Sequence, residues 1–282
     1  MLEYNFTHAL RATMKDSIWE NLGRQSRPNW YLDPLVAHAK KRDHMRLLAR
    51  WNSGFNPRRV LKTDLFEEAF GEDQLLFGLF PASIVYGVDL AFSTVRGAKA
   101  KAPDGAAGCS YHFSVADLRA LPMQPRSIDM ILSTSSLDHF DSAADFETAL
   151  EQTLQALGSG GRLVLTLDNV WNPLYLPLKW ISRRSWAPFP LGYTPSLSRL
   201  KKLLLHNGFE ILGTDCLVHN PRMLSTLLFL ALRSLLGKRG APLISGFLKV
   251  FSWLDHLPTR YLSACFVAVI AERKLLDNHS SR

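Results

Sequence analysis

Between residues 58 and 169, short apolar runs alternate with stretches of helical spacing, and few architectures accept that pattern. The runs are RRVLKTD (58–64), SIVYGVD (83–89), CSYHFSVAD (109–117), SIDMILST (127–134) and GRLVLTLDN (161–169). Helical stretches at about 66–77, 93–101 and 142–158 separate most of them. In the last, Phe146, Leu150, Leu154 and Leu157 recur at the spacing of one helix face. Apolar strands alternating with amphipathic helices predict a parallel sheet covered by helices.

The flanks read differently. Residues 1–57 form a polar, helical N-terminal segment, broken near Arg27-Pro28-Asn29 and again at Asn56-Pro57. Within it HAKKRDHMRLLARW (38–51) sets Met45, Leu47, Leu48 and Trp51 close to one helical face. After Asn169 comes a stretch rich in Trp, Pro and Tyr, then SLSRLKKLLLHNG (196–208), a helix with a glycine stop. FEILGTDCLV (209–218) and SACFVAVIAERK (263–274) are the last strands, and 275–282 is a tail. Between these strands, at about 219–258, lies a helical insertion. Its apolar core, Met223 to Leu254, is broken by Arg233 and by Lys238-Arg239-Gly240, so it predicts two helices hinged at 237–242 rather than a membrane span. Such helices can lie on a membrane surface, line an apolar pocket or simply be buried.

The formal charge of +8 is unevenly placed: +6 over residues 1–60, −8 over 61–170 and +10 over 171–282. Basic ends around an acidic middle can meet phosphates or an anionic membrane, pack on the middle, or be solvated faces. The basic residues are scattered rather than striped, and no nucleic-acid-binding module is legible. The start has acids and no apolar run, which excludes a secretory signal and predicts a cytoplasmic protein with at most weak peripheral membrane contact through 223–254. Cys109, Cys216 and Cys265 are too far apart for a disulfide framework, and no tight His/Cys spacing predicts a metal.

Chemistry concentrates at the strand ends, where open α/β sheets bind their ligands. Three successive strands end in Asp64, Asp89 and Asp117. An acid after the second strand can take both hydroxyls of a ribose, and one after the third can accept from an adenine amino group. Together they describe an adenosine-containing ligand, although each aspartate alone could be a turn or cap residue.

YGVDLAFSTVRGA (86–98), VADLRALPMQPRSIDMILSTSSLDHF (115–140) and ALEQTLQALGSGGRLVLTLDN (149–169) resemble the class I S-adenosylmethionine-dependent methyltransferases. The resemblance covers about residues 57–170 and extends more faintly to 274. It implies an α/β fold: a Rossmann-like, seven-stranded, mostly parallel sheet with an antiparallel last strand and helices on both faces, spanning 58–274. It implies S-adenosyl-L-methionine as cofactor, with Asp89 and the adjacent Leu90 at the ribose, Asp117 and Leu118 at the adenine, and the segment Ser133 to His139 bordering the methyl group. The family's glycine-rich turn after the first strand is missing. VLKTDLFEEAFGED has only Gly71, and Asp64 with Glu67 reads as a D-x-x-E capping box. Asp64 can face the cofactor's ammonium group or be occupied as a cap, and Glu67 or Glu68 can supply acidity instead.

His139 is the candidate catalytic base, with Asp138 and Asp141 either tuning it or capping the next helix. His219, in HNPR (219–222), is a second candidate base or a turn residue, and Arg222 can hold an acidic substrate group. Asn169 and Tyr193 line a substrate mouth or close a loop. Trp171, Tyr175, Trp180, Trp186 and Phe189, with the 223–254 helices, point to a small-molecule or lipid-like acceptor. A methyltransferase acting on nucleic acid and a non-catalytic scaffold are the alternatives. A dehydrogenase is disfavoured by the lack of G-x-G-x-x-G in the first turn.

Overall fold

The computed structural model describes residues 18–22, 24, 33–71, 74–77, 79–105, 108–184, 187 and 190–275. The expected break at 27–29, Trp186, Phe189, the Arg222 side chain and the tail after Leu275 lie outside the described residues.

Helix α1 (Pro34–Trp51) starts on Asp33, whose carboxylate accepts from Leu35 N at 2.9 Å, with proline at its first position. The sheet follows: β1 (Arg59–Lys62), a one-turn α2 (Phe66–Phe70), β2 (Ile84–Asp89), α3 (Phe92–Lys101), β3 (Ser110–Val115), β4 (Ile128–Thr134), α4 (Ala143–Ala156) and β5 (Leu157–Asp168). Then come α5 (Tyr175–Ile181), α6 (Leu197–His206), β6 (Phe209–Leu217), α7 (Arg222–Leu236), α8 (Ala241–Ser252), α9 (Arg260–Ser263) and β7 (Phe266–Arg273).

The strand order is β3-β2-β1-β4-β5-β7-β6. β1 to β5 pair in parallel, and β7 runs antiparallel between β5 and β6. This is the Rossmann-like, seven-stranded, mostly parallel sheet. Its order reverses between β1 and β4, which makes their carboxyl ends the topological switch point.

Alternation along the strands builds two cores. Leu61, Ile131, Leu163, Leu165, Val267 and Val269 pack with Phe146 and Leu150 of α4 and Leu200 and Leu204 of α6. Their sequence neighbours Val60, Met130, Leu132, Val164 and Ile270 face the opposite way, onto Leu48 of α1, Leu75 and Phe80. Both faces are therefore dry, which is why the central strands read as continuous apolar runs. α1 is fastened further by Arg162, which donates to Trp51 O at 3.2 Å, and by an Arg50–Asp215 ion pair.

Three local expectations change. The capping box does not form: Asp64 accepts from Phe66 N at 2.8 Å in a tight turn, α2 begins after Leu65, and Glu67 turns away to Lys40. The expected helix over 66–77 stops at Gly71, where a Cβ would lie 2.5 Å from Glu67 O. α4 is capped by neither Asp138 nor Asp141 but by Ser142, whose hydroxyl accepts from Asp145 N at 3.0 Å.

The insertion is hinged as its sequence implies, α7 and α8 meeting through a 3-10 turn at Gly237–Gly240. Phe229, Ile244 and Leu248 pack inward against Leu35, Val36 and Ala39 of α1. Leu224, Leu227, Leu235, Leu243 and Val250 face solvent. Among the described residues no helix is long and apolar enough to cross a membrane.

Candidate active site

β1 ends in a turn made of side chains instead of glycines. Lys62 is fully buried; its ammonium pairs with the equally buried Glu68 at 2.7 Å and donates to Asp64 O. Glu68 also accepts from Leu76 N at 3.1 Å. Burial opposes the Lys62 charge, but the carboxylates of Glu68, Asp64 and Glu67 outweigh it and keep the ammonium protonated. Leu65, fully buried, leans over Gly87 of β2, where a Cβ would come within 2.7 Å of its Cδ2. Both acids that might have served a ligand are therefore committed, Glu68 to Lys62 and Glu67 to Lys40.

Asp89, half-buried at the tip of β2, accepts from Leu65 N at 3.0 Å and from Ala91 N at 2.9 Å, one bond on each oxygen. A carboxylate has room for about four such bonds, so lone pairs remain on both oxygens. Burial, then the neighbouring Asp64 charge, pushes Asp89 up to about 7 despite these two donors. Leu90, next in the chain, is half-buried.

Asp117 lies at the tip of the adjacent strand, and Ala116 N donates to Asp89 O at 3.0 Å across the gap. The two acids are thus side by side at neighbouring strand ends. Asp117 is already engaged: it accepts from Arg119 N at 2.9 Å and holds the Arg119 guanidinium at 2.6 Å. These bonds outweigh partial burial and keep its carboxyl below the usual range. Leu118 beside it is buried in the core.

At the switch point Thr63 Oγ1 bonds Ser133 Oγ at 3.0 Å and Ser136 Oγ at 2.7 Å, closing a cluster of hydroxyls between the ends of β1 and β4. Ser135 follows at φ +58°, so the chain turns sharply there. Asp138 is fully buried and accepts from Ser135 Oγ at 3.0 Å and Asp168 N at 2.8 Å. His139 stands next to it, its Nε2 4.0 Å from Asp138 Oδ1 and its side chain 22% exposed. Gly192 presses on this segment: a Cβ there would lie 2.3 Å from Phe140 O and 2.7 Å from Asp138 O.

Two contributors were not legible as site residues. Glu20 accepts from Ser93 N at 3.1 Å at the start of α3, and Trp19 meets the His139 ring edge-on at 4.9 Å. The segment at 18–22 thus touches both α3, just past Asp89, and His139.

Other expected residues sit elsewhere. Asn169 and Asn172 donate to Tyr261 O, Ser263 O and Ala264 O, which makes them loop-closing residues. Tyr193 packs edge-on against Phe146. His219 is buried after β6 and bonds Ser263 Oγ at 2.8 Å and Asp255 Oδ1 at 2.6 Å. Trp171 and Trp180 are exposed.

Residues 70–165 match the family described as "Methyltransferase domain". Over those residues the chain is similar to that methyltransferase domain family. No curated protein matches the chain. Among solved structures, phosphoethanolamine N-methyltransferase 2 of Haemonchus contortus, in complex with S-adenosyl-L-methionine, is similar at 18% identity and TM-score 0.55, over 83% of this chain and 53% of that one. The YcgJ protein of Bacillus subtilis is similar at 17% identity and TM-score 0.52, over 82% of this chain and 98% of that one. The [4+2]-cyclase SpnF is similar at 17% identity and TM-score 0.52, over 84% and 81%. At such identities the structures attest the fold. The lone pairs left on Asp89 have room for two hydroxyl donors.

Proposed function

We propose that the protein transfers a methyl group from S-adenosyl-L-methionine to an apolar small-molecule or lipid-like acceptor, with His139 as the base when the acceptor is a hydroxyl or an acidic carbon. The observation that carries the reading is the convergence of Asp89, the Thr63–Ser133–Ser136 hydroxyls and His139 on the switch point between β1 and β4.

The cofactor, when bound, supplies an electrophilic methyl carbon; the protein's part is alignment and exclusion of water. Asp89 and Leu90 take the ribose side. Asp117 and Leu118 take the adenine side, where Arg119 must share its carboxylate. Asp64 faces the ammonium group through the oxygen that Phe66 N does not hold. Ser133 fixes the floor beneath the methyl group. The His139 ring accepts the acceptor's proton, and the imidazolium so formed is stabilised by the buried Asp138 carboxylate.

The acceptor class follows from surface composition. Leu176, Trp171 and Trp180 near α5, and the outward leucines of the 219–258 insertion, are exposed apolar side chains. Such a surface suits a hydrophobic acceptor and a weak, salt-sensitive contact of residues 223–254 with an anionic membrane in a cytoplasmic protein.

The test is calorimetric titration with S-adenosyl-L-methionine, then a labelled-methyl screen over long-chain alcohols, phenols and amines. Cofactor binding lost in Asp89→Ala, and turnover lost in His139→Asn with binding kept, are the expected results. A second reading, a scaffold without catalysis, is favoured by the glycine-free first turn and the engagement of Asp117 by Arg119. Failure to bind the cofactor at all would select it. Co-sedimentation with phosphatidylserine vesicles at two salt concentrations tests the membrane contact, and firm binding at high salt would overturn its electrostatic character.

A further inference from the structure

Cys216, His219 and Asp255 bring one ligand atom each to within 4.8 Å of one another, far along the sheet from the proposed methyl site. Cys216 is the last residue but one of β6, His219 follows the strand, and Asp255 lies in the 3-10 turn Trp253–His256 between α8 and α9. Cys216 and His219 thus stand at the entry of the helical insertion and Asp255 near its exit. We propose that these three side chains bind a Zn²⁺ ion that staples the base of the insertion to the edge of the sheet.

The donor set is a thiolate, an imidazole and a carboxylate, the ligand classes that zinc prefers. The cysteine and histidine are buried, the His219 side chain being 1% exposed. Asp255, with 34% of its side chain exposed, opens the fourth position to water. The imidazole is also oriented from behind. His219 Nδ1 lies 2.8 Å from Ser263 Oγ, and that hydroxyl donates to Arg260 O at 3.2 Å. When Ser263 donates to the carbonyl, its oxygen can accept Nδ1–H, the tautomer that frees the Nε2 lone pair for a metal. In the metal-free protein the 2.6 Å contact between Nε2 and Asp255 Oδ1 is an Nε2–H···O hydrogen bond; on metal binding the ring proton passes to Nδ1, the Asp255 carboxylate shifts to ligate, and Nε2 takes the ion. This backing of a ligand histidine is the usual way its ring is fixed.

The charges balance. On binding, three metal–ligand bonds form, the Cys216 S–H bond breaks and its proton goes to solvent. A thiolate and a carboxylate then neutralise Zn²⁺, while the nearby Arg260 is held at 3.1 Å by Asp215, which it shares with Arg50. In the sheet order β4-β5-β7-β6, three strand spacings of about 4.8 Å separate β6 from β4, which makes the ion a structural clamp rather than a participant at His139.

The experiment uses the full chain, dialysed against chelator and titrated with Co²⁺ and then Zn²⁺. Expected are a thiolate-to-cobalt charge-transfer band saturating at one equivalent, intense visible absorption of a tetrahedral ion, bleaching by Zn²⁺, and a Tm that rises with free Zn²⁺. Cys216→Ala abolishes the band, whereas Cys109→Ser and Cys265→Ser retain it. Asp255→Asn, at a partly exposed position, weakens Co²⁺ binding at least tenfold and removes the Zn²⁺-dependent rise in Tm. No thiolate band in the native chain, a band that survives Cys216→Ala, or unchanged affinity in Asp255→Asn would each overturn the proposal. Should Cys216→Ala fail to fold, Asp255→Asn decides.

Discussion

If Asp89 receives ribose hydroxyls, its ionisation must be linked to cofactor affinity. In the free protein its carboxyl sits at about 7, raised by burial and by Asp64. Hydroxyl donors bind the ionised form, so the complex holds a carboxylate and the apparent affinity scales with the fraction already ionised. With a pKa of about 7 that fraction is about 0.1 at pH 6 and about 0.9 at pH 8, so affinity rises about tenfold, or about 1.4 kcal/mol, across the interval. At pH 7 about half a proton is released per cofactor bound. The assay is calorimetric titration at pH 6, 7 and 8 and constant ionic strength, in buffers of different ionisation enthalpy, on the native protein and Asp89→Asn. The cofactor's own titration is common to both proteins, so the ratio of their pH profiles isolates Asp89. The stability of the cofactor-free protein has the opposite slope: a carboxyl raised above its ordinary 3.8 favours the folded state at low pH and loses that contribution as pH rises through about 7. An affinity ratio that stays within about twofold from pH 6 to pH 8 would refute the linkage.

Other perturbations read other parts of the site. Lys62→Met leaves Glu68 buried without its partner and is expected to destabilise by about 3–5 kcal/mol in urea unfolding, while the double variant with Glu68→Leu recovers most of that loss. His139→Asn is expected to lower kcat by about 10²–10⁴ with a hydroxyl acceptor, abolish the acidic limb of the pH–rate profile and leave cofactor affinity within a few-fold. Gly192→Ala forces the 138–140 backbone aside and is expected to cost about 1–3 kcal/mol and to slow turnover, read by thermal unfolding and single-turnover rates.

The sheet was legible because its information is local. Strands apolar on both faces and helices with one apolar face declare themselves within about ten residues. The edges of that information are where reading fails. Glu67 looked like a capping partner of Asp64, but Lys40, which lies 27 residues upstream on α1, captures it. The helical stretch was expected to run to 158 and the fifth strand to begin at 161, yet β5 starts at Leu157: Gly160 adopts φ +70° and the strand passes through a register shift between Ile128 and Met130 of its neighbour. Asp89 and Asp117 were legible as adjacent strand-end acids, but the guanidinium that occupies Asp117 was not, since an Asp-x-Arg spacing does not reveal a fold-back. The Cys216–His219–Asp255 cluster was invisible because its third member arrives from the far side of the insertion.

The glycine-free turn changes what the site is made of. A glycine turn brings backbone close to a ligand because nothing stands in the way. Here the glycine has moved onto β2: Gly87 makes room for Leu65, and the turn is then held from below by the Lys62–Glu68 pair and the donation of Lys62 to Asp64 O. A turn built this way is stiff, because sliding it would unpair two fully buried charges. Asp89, which keeps lone pairs to spare, is tied to the same turn through Leu65 N. The Asp89 carboxylate and the buried pair are therefore coupled through a single backbone amide, so a change in Asp89 protonation is expected to be felt along the end of β1.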